Sequence, residues 1–127
     1  MTQLSERQIQ SAFFQEFKLY GFDKFLLAQA VKNEVGKNNI ITGQLNKMAG
    51  VVAGASDVVV FDMRTLSMRK SPTDYYKPLF LEFKTSKGRQ SPSQKDYQAR
   101  VEEGTHTYYI VRSSEEAINR VKKYFNL

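Results

Sequence analysis

No cysteine occurs anywhere in the 127-residue chain. Disulfides and thiolate metal sites are therefore excluded, and no redox compartment follows from cysteine usage. Histidine is limited to His106, which cannot build a zinc cluster alone. His106 reads instead as the start of a strand. No stretch has the length or apolar continuity of a transmembrane helix or a signal peptide, so the expected location is the cytoplasm, with no membrane partner. Internal repeats, low-complexity tracts and a dividing linker are also missing. What is present is ordinary for a globular protein: 41% hydrophobic and 25% charged residues, in a chain long enough for one domain, 1–127, with a real core.

Charge is not evenly spread. Residues 1–63 carry six Lys/Arg and six Asp/Glu, and residues 101–127 carry four of each. The net +6 therefore comes wholly from residues 64–100, with nine Lys/Arg against three Asp/Glu. A basic segment of this kind is either a solvated face or a contact surface for a polyanion, most simply nucleic acid.

Hydrophobic periodicity predicts an α/β arrangement. Residues 5–20 form an amphipathic helix, with Ile9, Phe13, Phe17 and Tyr20 on its inner face. Phe25 to Val31 reads as a strand, Asn33 to Asn39 as a loop, and Thr42 to Gly50 as a short helix. Asp57 to Asp62 is a strand, and residues 63–77 form a basic loop carrying Pro72 and two tyrosines. Pro78 to Thr85 is apolar on both faces, which predicts a central strand. Ser91 caps a helix with Pro92 in its first turn, and Ser91-x-x-Gln94 makes a capping box. His106 to Val111 is a strand. Ser113 and Glu116 predict a capping box for a last helix whose buried stripe is Ala117, Ile118, Val121, Tyr124 and Phe125.

Chemistry concentrates on Asp57 and on Glu82-Phe83-Lys84. Alternation along a strand puts Glu82 and Lys84 on one face with Phe80, and Leu79, Leu81 and Phe83 on the other. An acid and a base inside a buried strand are costly unless paired, hydrogen-bonded or holding a metal. Two carboxylates from neighbouring strands offer the hard oxygen ligands that suit Mg²⁺, and a lysine beside them can orient a water or steady charge on a phosphate. The plain alternative is an ion pair near a sheet edge. On the first helix, Glu6 lies almost in line with Phe13 and is aimed at the interior, whereas Glu16 is displaced to the flank. Glu6 also fits as an N-terminal carboxylate favouring the helix dipole. Lys87 and Arg89, on the turn after Lys84, are candidate phosphate contacts.

These residues carry a family resemblance. Gly54-Ala55-Ser56-Asp57, Leu81-Glu82-Phe83-Lys84-Thr85, Lys87-Gly88-Arg89 and Ser91-Pro92-Ser93-Gln94 resemble the VRR-NUC family, the virus-type replication-repair nucleases of the PD-(D/E)xK superfamily. Gly104 and Val111-Arg112-Ser113 continue the match. Upstream, Ser5-Glu6-Arg7-Gln8-Ile9-Gln10, Asn33-Glu34 and Met48-Ala49-Gly50-Val51 fit its pattern. Ser56 departs from it, since the family usually has proline there. That proline shapes a turn and is not a ligand.

The resemblance implies a restriction-endonuclease-like PD-(D/E)xK core, a mixed β-sheet flanked by helices. It implies a catalytic set of Glu6, Asp57, Glu82, Lys84 and Gln94. Asp57, Glu82 and the carbonyl of Phe83 would bind Mg²⁺, with Mn²⁺ as substitute, and Glu6 would reach the metal directly or through water. Asn33 and Glu34 would be substrate contacts, and Lys87 and Arg89 would bind DNA. Stand-alone members of the family resemble Holliday-junction resolvases that act as homodimers on branched or four-way DNA, in bacteria or phage-infected cells. A flap or restriction-like nuclease of the same fold, and a catalytically inactive DNA-binding module, are the alternatives.

Overall fold

The structure, a computed structural model, describes residues 3–31, 50–71 and 75–127. The expected loop at Asn33 to Asn39, most of the expected helix at Thr42 to Gly50, Pro72, and the pair Asn33 and Glu34 lie outside the described residues. The elements run α1 (Glu6–Leu19), β1 (Leu26–Ala30), β2 (Val58–Asp62), β3 (Leu79–Phe83), α2 (Pro92–Glu103), β4 (Thr107–Val111) and α3 (Ser114–Tyr124). Single 3₁₀ turns occupy Phe22–Lys24 and Leu66–Met68.

The four strands make one mixed sheet in the order β1-β2-β3-β4. β1 and β3 each pair antiparallel with β2, and β4 runs parallel to β3. Parallel neighbours need a crossover, and α2 supplies it. β3 is therefore interior, as its two apolar faces predict.

Alternation sorts the two faces. Val58, Val60, Leu79, Leu81, Phe83 and Val111 pack with Ile9, Phe13 and Phe17 of α1 and Ala117, Ile118 and Val121 of α3. Phe13 is fully buried and meets Phe83 with ring centroids 5.5 Å apart; burying such a ring stabilises the fold by roughly 1.5–3 kcal/mol. The other face is covered by α2, where Phe80 meets Tyr97 and Tyr97 meets Tyr108. No helix among the described residues is long and apolar enough to cross a membrane.

Helix ends follow local chemistry. Ser5 Oγ accepts the Gln8 N–H, and Gln8 Oε1 accepts the Ser5 N–H. This capping box sets the start of α1. Ser91 and Gln94 form the expected second box. The third is only half made. Ser113 Oγ accepts the Glu116 N–H, but Glu116 Oε1 takes the Arg112 N–H in place of the Ser113 one. Tyr20 also departs from expectation. Gly21 turns the chain at φ 76°, so Tyr20 caps α1 and is 54% exposed. Its ring stacks on Phe22 and carries the Lys122 ammonium 4.2 Å from its centroid.

Candidate active site

β2 and β3 run in opposite directions, so the start of one meets the end of the other. Val58 pairs with Leu81, which places Asp57, one step earlier, opposite Glu82. Asp57 Oδ2 accepts the backbone N–H of Phe83 at 2.6 Å. That bond ties the Asp57 side chain to the Glu82–Phe83 peptide. The Phe83 side chain itself lies in the core.

Glu82 is 0% exposed and Lys84 7%. Glu82 Oε1 accepts from Tyr108 Oη and from Gln90 Nε2. Its Oε2 is buried with no hydrogen-bond partner among the described residues and lies 3.8 Å from Lys84 Nζ. Burial, followed by the hydrogen bond to Glu82, holds the Tyr108 phenol far above the ordinary tyrosine range. It is therefore a donor at any working pH.

Lys84 Nζ donates to Gln94 Oε1 at 2.9 Å, and the same oxygen accepts the Ser91 N–H at 2.8 Å. Gln94 thus caps α2 and holds the lysine with one atom.

Among the described residues Glu82 Oε2 has only the Lys84 ammonium at 3.8 Å and no hydrogen bond. A buried carboxylate oxygen so loosely met is a liability that a closer cation relieves. Asp57 lies across the strand, and both ligands are hard oxygens with no soft donor nearby. The donor set fits Mg²⁺ or Mn²⁺. Among the described residues, no three or more His, Asp or Glu side chains converge closely enough to hold a metal together. Glu6 makes no such cluster with Asp57 and Glu82 among the described residues. It is also exposed and not turned to the interior, because it sits in the first turn of α1, ahead of the buried Ile9. It still stands at the rim of the site. A Cβ built on Gly88 would lie 3.4 Å from Glu6 Oε2 and 3.3 Å from Lys84 Cδ. Glu16 is turned away, accepting from Ser114 Oγ at 3.0 Å. It lines a cavity of about 540 Å³ between α1 and α3, on the opposite face of the sheet from Glu82.

Lys87 and Arg89 are exposed on the turn that follows β3. The Arg112 guanidinium clamps that turn, with Nη1 donating to the carbonyls of Thr85 at 2.7 Å and Gly88 at 2.9 Å. The rest of the basic segment is divided. Arg64, Arg69, Lys70 and Lys77 belong to the β2–β3 connection at the far end of the sheet, roughly 16 Å away for a five-residue strand. Several are engaged there. Arg64 forms a two-bond pair with Asp62, Arg69 lies over the Tyr75 ring, and Lys77 donates to Thr105. The basic patch beside the site is thus smaller than the charge count alone suggests.

Tyr108, Gln90 and Arg112 are site residues that pattern reading left without a role. Only Arg112 had a signal, through its place in the family match. Tyr108 looks like any strand aromatic, and Gln90 like any loop amide.

The sequence matches no protein-family model and no curated protein. Among solved structures it is similar to a VRR_NUC domain protein, with a TM-score of 0.70 and 16% identity over 98% of this chain and 91% of that one. The fold is therefore that of a VRR_NUC domain, as the resemblance in the motifs implies.

Proposed function

We propose that the chain is a divalent-metal-dependent DNA endonuclease that hydrolyses phosphodiester bonds in branched DNA, acting as a resolvase-like homodimer. The observation that carries this reading is Glu82: wholly buried, with one oxygen bare beside Lys84 and with Asp57 facing it. The shared fold with a VRR_NUC domain protein supports the nuclease class.

Asp57 and Glu82, with the carbonyl of Phe83, would hold Mg²⁺ or Mn²⁺, whose contribution when bound is Lewis acidity toward a phosphate oxygen and a lowered water pKa. Lys84 has three N–H donors, and one is committed to Gln94. The others are available to position the attacking water and to stabilise charge growing on the phosphate oxygens. Gln94 fixes the direction of the ammonium, and Asp57 fixes the Glu82–Phe83 peptide. Glu6, at the rim, would act through water.

The branched substrate and the dimer follow from the family resemblance together with simple counting. One chain offers one E-x-K site, and coupled cutting of two strands needs two, most commonly related by two-fold symmetry. Purified protein on four-way, flap and linear duplexes with Mg²⁺ should cut the four-way junction best and stop in EDTA. Undiminished cutting in EDTA would remove the metal from the mechanism. A monomer by analytical ultracentrifugation that only nicks a cruciform plasmid would remove the resolvase reading and leave the nuclease.

The turn bearing Lys87 and Arg89 gives a separate expectation. Replacing both by Ala should lower the slope of log affinity against log salt by roughly 0.9 per lost duplex phosphate contact. Fluorescence anisotropy on junction DNA across a salt series measures it. An unchanged slope would place this turn away from the DNA.

A further inference from the structure

Two side chains converge on one oxygen of Glu82. Tyr108 Oη and Gln90 Nε2 both donate to Oε1, and Oε2 has no such partner. Both donors are fixed from behind. Tyr108 pairs with Phe80 across β3 and β4, on the face that Phe80 shares with Glu82. Its ring reaches diagonally to the carboxylate, within the span open to an aromatic. Tyr97 packs against that ring at 6.3 Å between centroids. The Gln90 amide also donates to Gln98 Oε1 at 2.8 Å, which sets its orientation.

Two donors on Oε1 occupy that oxygen's strong acceptor directions. A carboxylate held this way presents a cation with one oxygen and resists rotating to offer both. Mg²⁺ is small and strictly octahedral and suits single-oxygen carboxylate ligands. Ca²⁺ is larger and commonly takes both oxygens of a carboxylate. We propose that Tyr108 and Gln90 are positioning residues that hold Glu82 as a single-oxygen ligand and thereby set the preference of the site for Mg²⁺ over Ca²⁺. The inference rests on Asp57 and Glu82 being the metal site.

The test reads binding and not cutting. Mn²⁺ bound to the full chain is followed by electron paramagnetic resonance, with Mg²⁺ and Ca²⁺ as separate competitors. Wild type, Tyr108→Phe and Gln90→Ala are compared. Loss of an outer hydrogen bond to a metal ligand typically costs about 10-fold or more in affinity. Tyr108→Phe should therefore bind Mg²⁺ about 10-fold more weakly. Ca²⁺, free to take the released oxygen, should lose little or gain, so the Mg²⁺/Ca²⁺ preference falls. Gln90 is only half-buried, so Gln90→Ala decides the matter should Tyr108→Phe fail to fold; it should shift the preference the same way. Affinities for both ions that fall together, or do not change, would overturn the inference and leave the metal site standing. Wild type that binds no Mn²⁺ would overturn the metal site and the inference with it.

Discussion

Glu82→Ala and Asp57→Ala should each lose cleavage by on the order of 10³-fold, since several kcal/mol of charge stabilisation depend on the pair. Lys84→Ala should fall by a comparable factor, of about 10²–10³ for one lost charge-stabilising donor. The readout is single-turnover cutting of a four-way junction with Mg²⁺, alongside a thermal melt of each variant. Both measurements should fall for Glu82→Ala. Glu82→Ala leaves the Tyr108 hydroxyl, the Gln90 amide and the buried Lys84 ammonium without their carboxylate, so its melt should fall as it does when one partner of a buried pair is removed. Glu82→Gln keeps the shape and an acceptor for Tyr108 while removing the charge, and it should be as inactive as Glu82→Ala. A Glu82→Gln enzyme that cuts at near wild-type rate would mean that the carboxylate is structural and that Lys84 is merely its ion-pair partner.

How much of this was legible in the sequence depends on the range of the interaction. Strand and helix placement among the described residues came through because burial imposes a period: Leu79, Leu81 and Phe83 face α1 and α3, and Phe80, Glu82 and Lys84 face α2, as alternation requires. Helix caps came through where the box closes locally, as at Ser91 and Gln94. The box at Ser113 half failed because Glu116 had a competing N–H on Arg112, and a four-residue pattern cannot rank two donors one residue apart. Tyr20 failed for a similar reason. Its spacing from Phe17 continues the helical stripe, but the stripe ends where Gly21 turns the chain. Glu6 stands at the rim of the site and is exposed there; a helical wheel gives the side of the helix and not the axial position. A first-turn residue can sit in line with the core and still project past its edge. Charge counting merged two clusters that the antiparallel β2–β3 pair sends to opposite ends of the sheet. The hydrogen-bond partners of Glu82 were beyond reach, since Tyr108 and Gln90 meet it only through the register of β3 on β4 and the loop that leads into α2.

Gly54→Ala should destabilise the fold by roughly 2–5 kcal/mol, summing left-handed strain with overpacking. Gly54 has φ 75°, and a Cβ there would stand 2.3 Å from both the carbonyl carbon and oxygen of Ser93 and 2.6 Å from the Gln94 nitrogen. Those are backbone atoms, so no rotamer change relieves the contact; the loop leading to Asp57 or the first turn of α2 has to move. Gly50 is the internal control. It has φ 88° but nothing among the described residues within 4 Å of its would-be Cβ, so Gly50→Ala carries the strain of about 1–2 kcal/mol without the clash. The difference in melting temperature between the two variants isolates the close approach, and for a chain of this size it should be several degrees or more. The functional consequence is separate. The first turn of α2 holds Gln94, whose Oε1 takes the Lys84 ammonium, while the Gly54 loop leads directly to Asp57. Pushing them apart displaces the lysine from the carboxylates. At a temperature where Gly54→Ala is still fully folded, cleavage should already be reduced, whereas Gly50→Ala should cut normally. Equal melting shifts for the two variants, with equal activity, would mean that the loop and helix part without cost and that their contact does not set the geometry of the site.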